Sequence, residues 1–314
     1  MAGLKIFSGT SNRPFAEKVA AAAGVQLGYC ELKRFADGEV QIEIHESVRG
    51  ESVFVVQSTC PPVNESYMEL FLILDALKRA SARQITAVLP YYGYARQDRK
   101  VAPRAPISAK CMADLLTAAG ATRVVCVDLH AAQIQGFFNV PVDHLFAIPT
   151  LARSFREQHG TGSEYVAVSP DAGGVERTRA FAKRIEASLA IIDKRRIGPN
   201  EAKALHLIGD VKDKTAIIVD DMIDTAGTLT QAVEVLMKNG AKRVFAAASH
   251  AVLSGPAISR LTECSIEKVI VTDTIPLSEK AIACGKMEII SMAPVVAEAI
   301  QRIYGNASVS SLFD

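Results

Sequence analysis

Short runs of aliphatic and β-branched residues alternate with longer amphipathic stretches along the whole chain, and this alternation limits the fold more than any other feature. Residues 53–56, 85–89, 124–127, 166–168, 216–219 and 244–247 are almost unbroken apolar runs. Strands of that kind are covered on both faces. Between them the spacing turns helical: Leu229, Val233 and Leu236 fall on one face, and Gly240 stands where that helix would end. Strand–helix alternation with doubly covered strands predicts an α/β fold built on parallel sheets flanked by helices.

A chain of 314 residues holds two domains of ordinary size. Residues 51–89 read as strand, loop, helix and then "SARQITAVLP"; residues 214–248 repeat the order and end in "GAKRVFAAAS". Two similar domains are expected, 1–148 and 149–291, joined near Pro149. A tail from about residue 292 is expected to pack on the first. The halves differ after the first strand of each pair: the second has Asp220-Asp221 and a Thr/Gly loop, the first Gln57-Ser58-Thr59 and then Pro61-Pro62.

A formal net charge of +1 leaves no broad basic surface for a nucleic-acid partner. An anionic ligand needs only a few local donors. The six cysteines form no CxxC pair and none sits beside a histidine at metal-ligand spacing, so reduced thiols are expected rather than a disulfide framework or zinc site. The N-terminus turns polar at once, unlike a signal peptide. The apolar runs, such as 70–74, are too short to cross a bilayer. A cytoplasmic location with no membrane partner follows as the expectation.

The most informative segment is Ile217-Ile218-Val219-Asp220-Asp221-Met222-Ile223-Asp224-Thr225-Ala226-Gly227-Thr228-Leu229. Ligands of open α/β sheets bind beyond the carboxyl ends of strands. Asp220 and Asp221 stand at such an end, where carboxylates accept hydrogen bonds from vicinal sugar hydroxyls. Asp224, Thr225, Ala226, Gly227 and Thr228 make a small-residue turn into a helix. Its amides, the positive end of the helix dipole and the threonine hydroxyls form a phosphate cradle. A phosphorylated sugar would use both parts at once. The plain alternative is a capped helix start with solvated acids.

The string resembles the phosphoribosyl-diphosphate-binding signature of type I phosphoribosyltransferases and of their relatives, the ribose-phosphate pyrophosphokinases. The chain also contains "RFADGEVQIEI" (34–44), "YYGYARQDRK" (91–100), "VDLHAAQIQGFF" (127–138), "VSPDAGGVERTRAFA" (168–182) and "DKRR" (193–196). With these motifs it resembles the ribose-phosphate pyrophosphokinase family from end to end. Simple phosphoribosyltransferases share only the sugar loop and half the length. The resemblance implies two phosphoribosyltransferase-like domains and transfer of the β,γ-diphosphate of ATP to the C1 hydroxyl of ribose 5-phosphate, with Mg²⁺ as metal.

Residue by residue, the resemblance places Phe35, Asp37, Gly38 and Glu39 in a nucleotide loop that reaches the ATP of a neighbouring subunit. Without it, this segment reads as a hairpin turning at Asp37-Gly38. Arg96 and Gln97 become ATP contacts, and His130 and Asp171 members of the metal shell. The oxygen of Asp171 suits Mg²⁺; the His130 nitrogen is an unusual donor for it. Lys194 and Arg196 become catalytic cations, Arg196 also a ribose 5-phosphate contact, beside a segment, 197–206, read as a mobile flap. Regulated family members are hexamers activated by phosphate and inhibited by ADP, and Ser47, Arg49, Ser81, Arg104, Ser308 and Ser310 match the effector site in type and position.

Position 226 is Ala where the family often has Gly, a strained choice if the site needs a positive φ. Three rival readings are a phosphoribosyltransferase, a regulatory relative without activity and a nucleic-acid regulator on the same fold. The presence of Lys194, Arg196, His130 and Asp171 argues against the second, and the near-neutral charge gives the third no support.

Overall fold

The computed structural model of the chain describes residues 3–195 and 204–312. The chain divides into two compact units, each with its own sheet: Met1–Phe146 with Thr274–Pro276 and Ser291–Asp314, and Ala147–Asp273 with Leu277–Ile290.

In the first unit, β1 (Leu4–Ser8) leads to α1 (Arg13–Ala22), then to an antiparallel hairpin of β2 (Cys30–Arg34) and β3 (Val40–Ile44). The chain continues through β4 (Ser52–Val56), α2 (Val63–Arg79), β5 (Gln84–Leu89), α3 (Ser108–Ala119), β6 (Arg123–Val127), a short 3₁₀ turn (Ala132–Phe137) and β7 (Val142–Leu145). The strands lie in the order β1-β4-β5-β6-β7, all parallel. Phe7, Val53, Val55, Ile73, Leu74 and Leu89 are among the residues that close its core.

The second unit runs α4 (Ile148–His159), β8 (Tyr165–Ser169), α5 (Val175–Arg184), β9 (Ser188–Arg195), β10 (Ala204–Ile208), β11 (Thr215–Ile223), α6 (Gly227–Lys238), β12 (Arg243–Ala251), α7 (Ala257–Glu263), β13 (Lys268–Thr272), α8 (Glu279–Ala283) and β14 (Met287–Ile290). Its sheet order is β10-β9-β8-β11-β12-β13-β14, with only the β10–β9 pair antiparallel. The last helix, α9 (Ala293–Tyr304), returns to the first unit and lies against α1, where Gln301 donates to the Ala23 carbonyl at 3.2 Å. No described helix is long and apolar enough to cross a membrane.

The two sheets share a plan. β8-β11-β12-β13-β14 follow one another as β1-β4-β5-β6-β7 do. In the second unit β9 pairs on the far side of β8. At the same place in the first unit there is only an isolated parallel bridge, Ile6–Leu27, before the chain departs as the hairpin.

Each apolar run of the sequence is a strand, longer by a residue or more at one end or both. The largest extensions are those of β11 and β12, which stay paired to Ile223–Ala251 and carry β11 through Asp220 and Asp221. Its other neighbour, β8, stops pairing at Ile218–Val168. The segment read as a flap contains the first residues of β10; residues 196–203 lie outside the described residues.

Four aromatic rings tie α4 to the second sheet: Phe155, fully buried, meets Tyr165, Phe181 and Phe245 edge-on at 5.5, 6.0 and 5.8 Å. Phe155→Ala is expected to destabilise this unit by about 3–5 kcal/mol, because the rings cannot collapse onto the space left. A chemical denaturation midpoint unchanged by the substitution would contradict this packing.

Candidate active site

Neighbouring strands β8 and β11 send their chains in opposite directions: β8 leads through α5 outward to β9, and β11 through α6 the other way to β12. A gap opens at the carboxyl ends of two such strands, and ligands of this fold class bind there. The loop after β8 carries Asp171, and the end of β11 carries Asp220 and Asp221.

Asp171 sits on a tight turn. Its Oδ1 accepts from the Gly173 and Gly174 amides at 2.9 and 3.1 Å, and its carbonyl accepts from Ser169 Oγ at 2.7 Å. Gly174 is required sterically: a Cβ there would lie 2.9 Å from Ser169 Oγ. This leaves the side chain exposed and held by one oxygen.

Asp221 is buried and Asp220 partly exposed. Asp220 Oδ1 accepts from the Asp221 amide at 2.9 Å. Loss of hydration and the charge of Asp221 push the Asp220 carboxyl up to about 8, while the guanidinium of Arg177 pulls the other way. Arg177, on α5, was not singled out by sequence reasoning. Its Nη1 stands 3.4 Å from an oxygen of each aspartate.

The turn that follows is held from outside. Ser254 Oγ donates to Asp224 Oδ1, and Arg260 Nη1 donates to the Thr225 carbonyl at 2.9 Å. Ala226 adopts the left-handed conformation, φ 59°, ψ 5°, and caps α6. A positive φ is therefore needed, and Ala rather than Gly costs about 1 kcal/mol there. Gly227 admits no larger residue without movement, since a Cβ would stand 3.1 Å from Arg260 Nη1. The first turn of α6 carries no acidic residue, so its amides and dipole favour an anion. Asp220, Asp221, Asp224, Thr225, Ala226, Gly227 and Thr228 thus belong to one strand end and helix start. Lys194 lies in β9, its backbone in register with Leu205; Arg196 lies outside the described residues.

In the first unit, Arg96, Gln97 and His130 stand at the carboxyl edge of their own sheet. The 91–97 loop is anchored: Thr59 Oγ1 donates to the Tyr91 carbonyl at 2.8 Å and accepts from the Gly93 amide at 2.7 Å. The Gln97 carbonyl accepts the Ala109 amide at 3.2 Å, tying the loop to α3. Both Arg96 and Gln97 are exposed. His130 is exposed at the end of β6, on a loop held by buried His144, whose Nε2 accepts the Leu129 amide at 2.9 Å.

Phe35, Asp37, Gly38 and Glu39 form the hairpin tip. Asp37 Oδ1 accepts the Glu39 amide at 3.1 Å, Gly38 has φ 94°, and Phe35 is 52% exposed. The turn end of the hairpin is tied to α2 through Arg34, which reaches Glu65 at 2.5 Å and Glu69 at 3.5 Å. Among the described residues the one His/acid group at metal-ligand spacing is Glu31, Glu43 and His45 on this hairpin; Glu31 is also paired with Lys33 at 2.8 Å.

Ser47, Arg49, Ser81, Arg104, Ser308 and Ser310 are all exposed residues of the first unit. The Gly50 amide donates to the Ser81 carbonyl at 2.9 Å, which brings the 47–50 loop to Ser81. Ser308 and Ser310 share a hydrogen bond at 2.6 Å. Ser308 lines a cavity of about 380 Å³ with Arg123, Asp143 and Asn306. Arg104 stands on a separate turn with φ 61°.

Residues 4–120 match the model of the N-terminal domain of ribose phosphate pyrophosphokinase, and residues 195–314 that of the phosphoribosyl synthetase-associated domain. The chain is 54% identical over 311 residues to the ribose-phosphate pyrophosphokinase of Fusobacterium nucleatum, covering 99% of this chain and 98% of that one. It is 57% identical over 310 residues to that of Caldanaerobacter subterraneus, with the same coverage. This chain belongs to the ribose-phosphate pyrophosphokinase family. The crystal structure of phosphoribosylpyrophosphate synthetase from Mycobacterium smegmatis superposes on the pyrophosphokinase fold described here with a TM-score of 0.92 at 44% identity, over 97% of this chain and all of that one.

An Asp220 carboxyl raised above its ordinary value of 3.8 holds its proton to higher pH when folded than when unfolded. The ligand-free protein therefore loses stability as pH rises from about 4 through about 8. Asp220→Asn removes that loss. Its melting temperature is expected to exceed the parent's by a margin that grows between about pH 5 and about pH 9. A constant margin across that range would show that Asp220 titrates normally.

Proposed function

We propose that the chain catalyses its family's reaction: the anomeric hydroxyl of ribose 5-phosphate attacks the β-phosphorus of ATP, the bond to the α-phosphate oxygen breaks, and 5-phosphoribosyl 1-diphosphate and AMP form. The observation that carries this reading is the pairing, on one strand end, of two carboxylates with an anion-ready helix start. Asp220 and Asp221 accept the sugar hydroxyls, while the 224–228 amides and the Thr225 and Thr228 hydroxyls take the 5-phosphate. One phosphorylated pentose meets both demands.

Such a transfer asks the protein mainly for alignment and charge neutralisation. Arg96 and Gln97, with Phe35, Asp37, Gly38 and Glu39 from a neighbouring subunit, hold the nucleotide. The cations of Lys194 and Arg196 are assigned to steady the charge that passes to the α-phosphate oxygen. Asp171, with His130 in the metal's shell, would hold Mg²⁺, which would supply neutralisation of the phosphate charge that repels the incoming hydroxyl. The free carboxylate oxygen of Asp171 fits this hard cation, which otherwise keeps phosphate and water ligands; the nitrogen of His130 suits a place behind a bound water better than direct ligation. The protein works in the cytoplasm as a homo-oligomer, a hexamer as in regulated relatives. Phosphate activates and ADP inhibits through Ser47, Arg49, Ser81, Arg104, Ser308 and Ser310.

Incubation with ATP, Mg²⁺ and ribose 5-phosphate is expected to release AMP. No release of AMP, or activity that needs a nucleobase and no ATP, would refute the assignment. Lys194→Ala should fold and bind ATP while turnover falls on the order of 10²-fold or more; near-normal turnover would remove Lys194 from the mechanism. Inorganic phosphate should raise the rate, and Arg49→Ala should blunt that response. A rate indifferent to phosphate would remove the effector site.

A further inference from the structure

We propose that Arg177 is a positioning residue that clamps the Asp220–Asp221 pair across the gap between β8 and β11 and so aims it at the pentose. The proposal rests on the reading of 220–228 as the sugar site and adds to it a residue that touches neither phosphate nor sugar in order to act.

The geometry is specific. One nitrogen, Nη1, is shared between the two carboxylates at 3.4 Å each. The Arg177 side chain is mostly buried, and Asp221 more so. Two adjacent carboxylates with little water around them repel, and each would rotate away or take up a proton. A guanidinium between them opposes both outcomes and fixes the direction of the acceptor oxygens. Asp220 Oδ1, which also accepts the Asp221 amide, is thereby held in place.

The position of the guanidinium is itself enforced. Arg177 is the third residue of α5, and Thr178 anchors that turn: its Oγ1 lies 2.9 Å from the Gly174 carbonyl and 3.5 Å from the Val219 carbonyl of β11. β11 has no β8 partner beyond Ile218, so Arg177 occupies the side of the strand that the sheet leaves open. A lysine keeps the charge but not the planar fork.

Steady-state kinetics on Arg177→Lys and Arg177→Ala test this. KM for ribose 5-phosphate is expected to rise about tenfold to a hundredfold in the alanine variant. The lysine variant should recover part of the loss, and KM for ATP should stay within about threefold. Thermal unfolding of Arg177→Ala, Asp221→Asn and the double variant gives an independent readout. Asp221→Asn should raise the melting temperature more in the Arg177→Ala background than in the parent, because it removes an unopposed charge. An unchanged KM for the pentose, a rise confined to ATP, or strictly additive melting temperatures would each overturn the clamp. Should Arg177→Ala not fold, Arg177→Gln takes its place in both measurements. If the parent protein releases no AMP, the proposed reaction fails, yet the unfolding cycle still decides whether Arg177 holds the pair.

Discussion

Two carboxylates on consecutive residues at the end of a buried parallel strand repel each other where water is scarce, and the second unit is arranged around that difficulty. β11 could not carry Asp220 and Asp221 in mid-sheet. It carries them where β8 has ended and only β12 continues beside it, so one flank is open. The open flank receives a cation from α5 on one side and the start of α6 on the other. Burial, like charge and a shared guanidinium together set a proton affinity that rises well above a solvated carboxylate's.

The first unit shows the same strand order without this difficulty. Where the second unit has its acids, Gln57 follows β4, buried and neutral. Its Nε2 donates to Glu69 at 3.0 Å and to the Ser66 carbonyl at 3.2 Å, and its Oε1 accepts from Ser11 at 2.9 Å. Thr10 adds its amide and hydroxyl to the Glu69 carboxylate. A Cβ on Gly9 would lie 2.4 Å from Gln57 Oε1, so this network fills the gap between the first two strands. The corresponding crevice is therefore closed by the protein's own side chains. The chain that would have extended that sheet's edge instead leaves as a hairpin, and its exposed Phe35 presents an aromatic face outward.

This contrast explains what could be read from the sequence and what could not. Continuous apolar runs marked the strands, and the Gly/Thr-rich string after 216–219 marked the helix start, because both signals are local. The continuation of β11 through two aspartates was hidden: local polarity suggested a strand end, while the ladder to β12 sustained the strand. Arg177 and Arg260 were hidden for another reason. They lie 43 and 35 residues from Asp220 and Thr225, and only the sheet topology brings them to the site. The hairpin turn at Asp37-Gly38 was visible from its residue types, but nothing local showed that Arg34 would tie it to α2 through Glu65 and Glu69.

The left-handed Ala226 belongs to the same physical account. A residue with a side chain at φ 59° is unfavourable in isolation and persists because its surroundings over-determine it. Here Arg260 fixes the Thr225 carbonyl before it, and the Thr230 amide donates to the Ala226 carbonyl at 2.9 Å after it. The turn can relax neither way, so the amides that open α6 are aimed before any ligand arrives. One short segment thus holds two unfavourable features, a strained cap and a crowded acid pair.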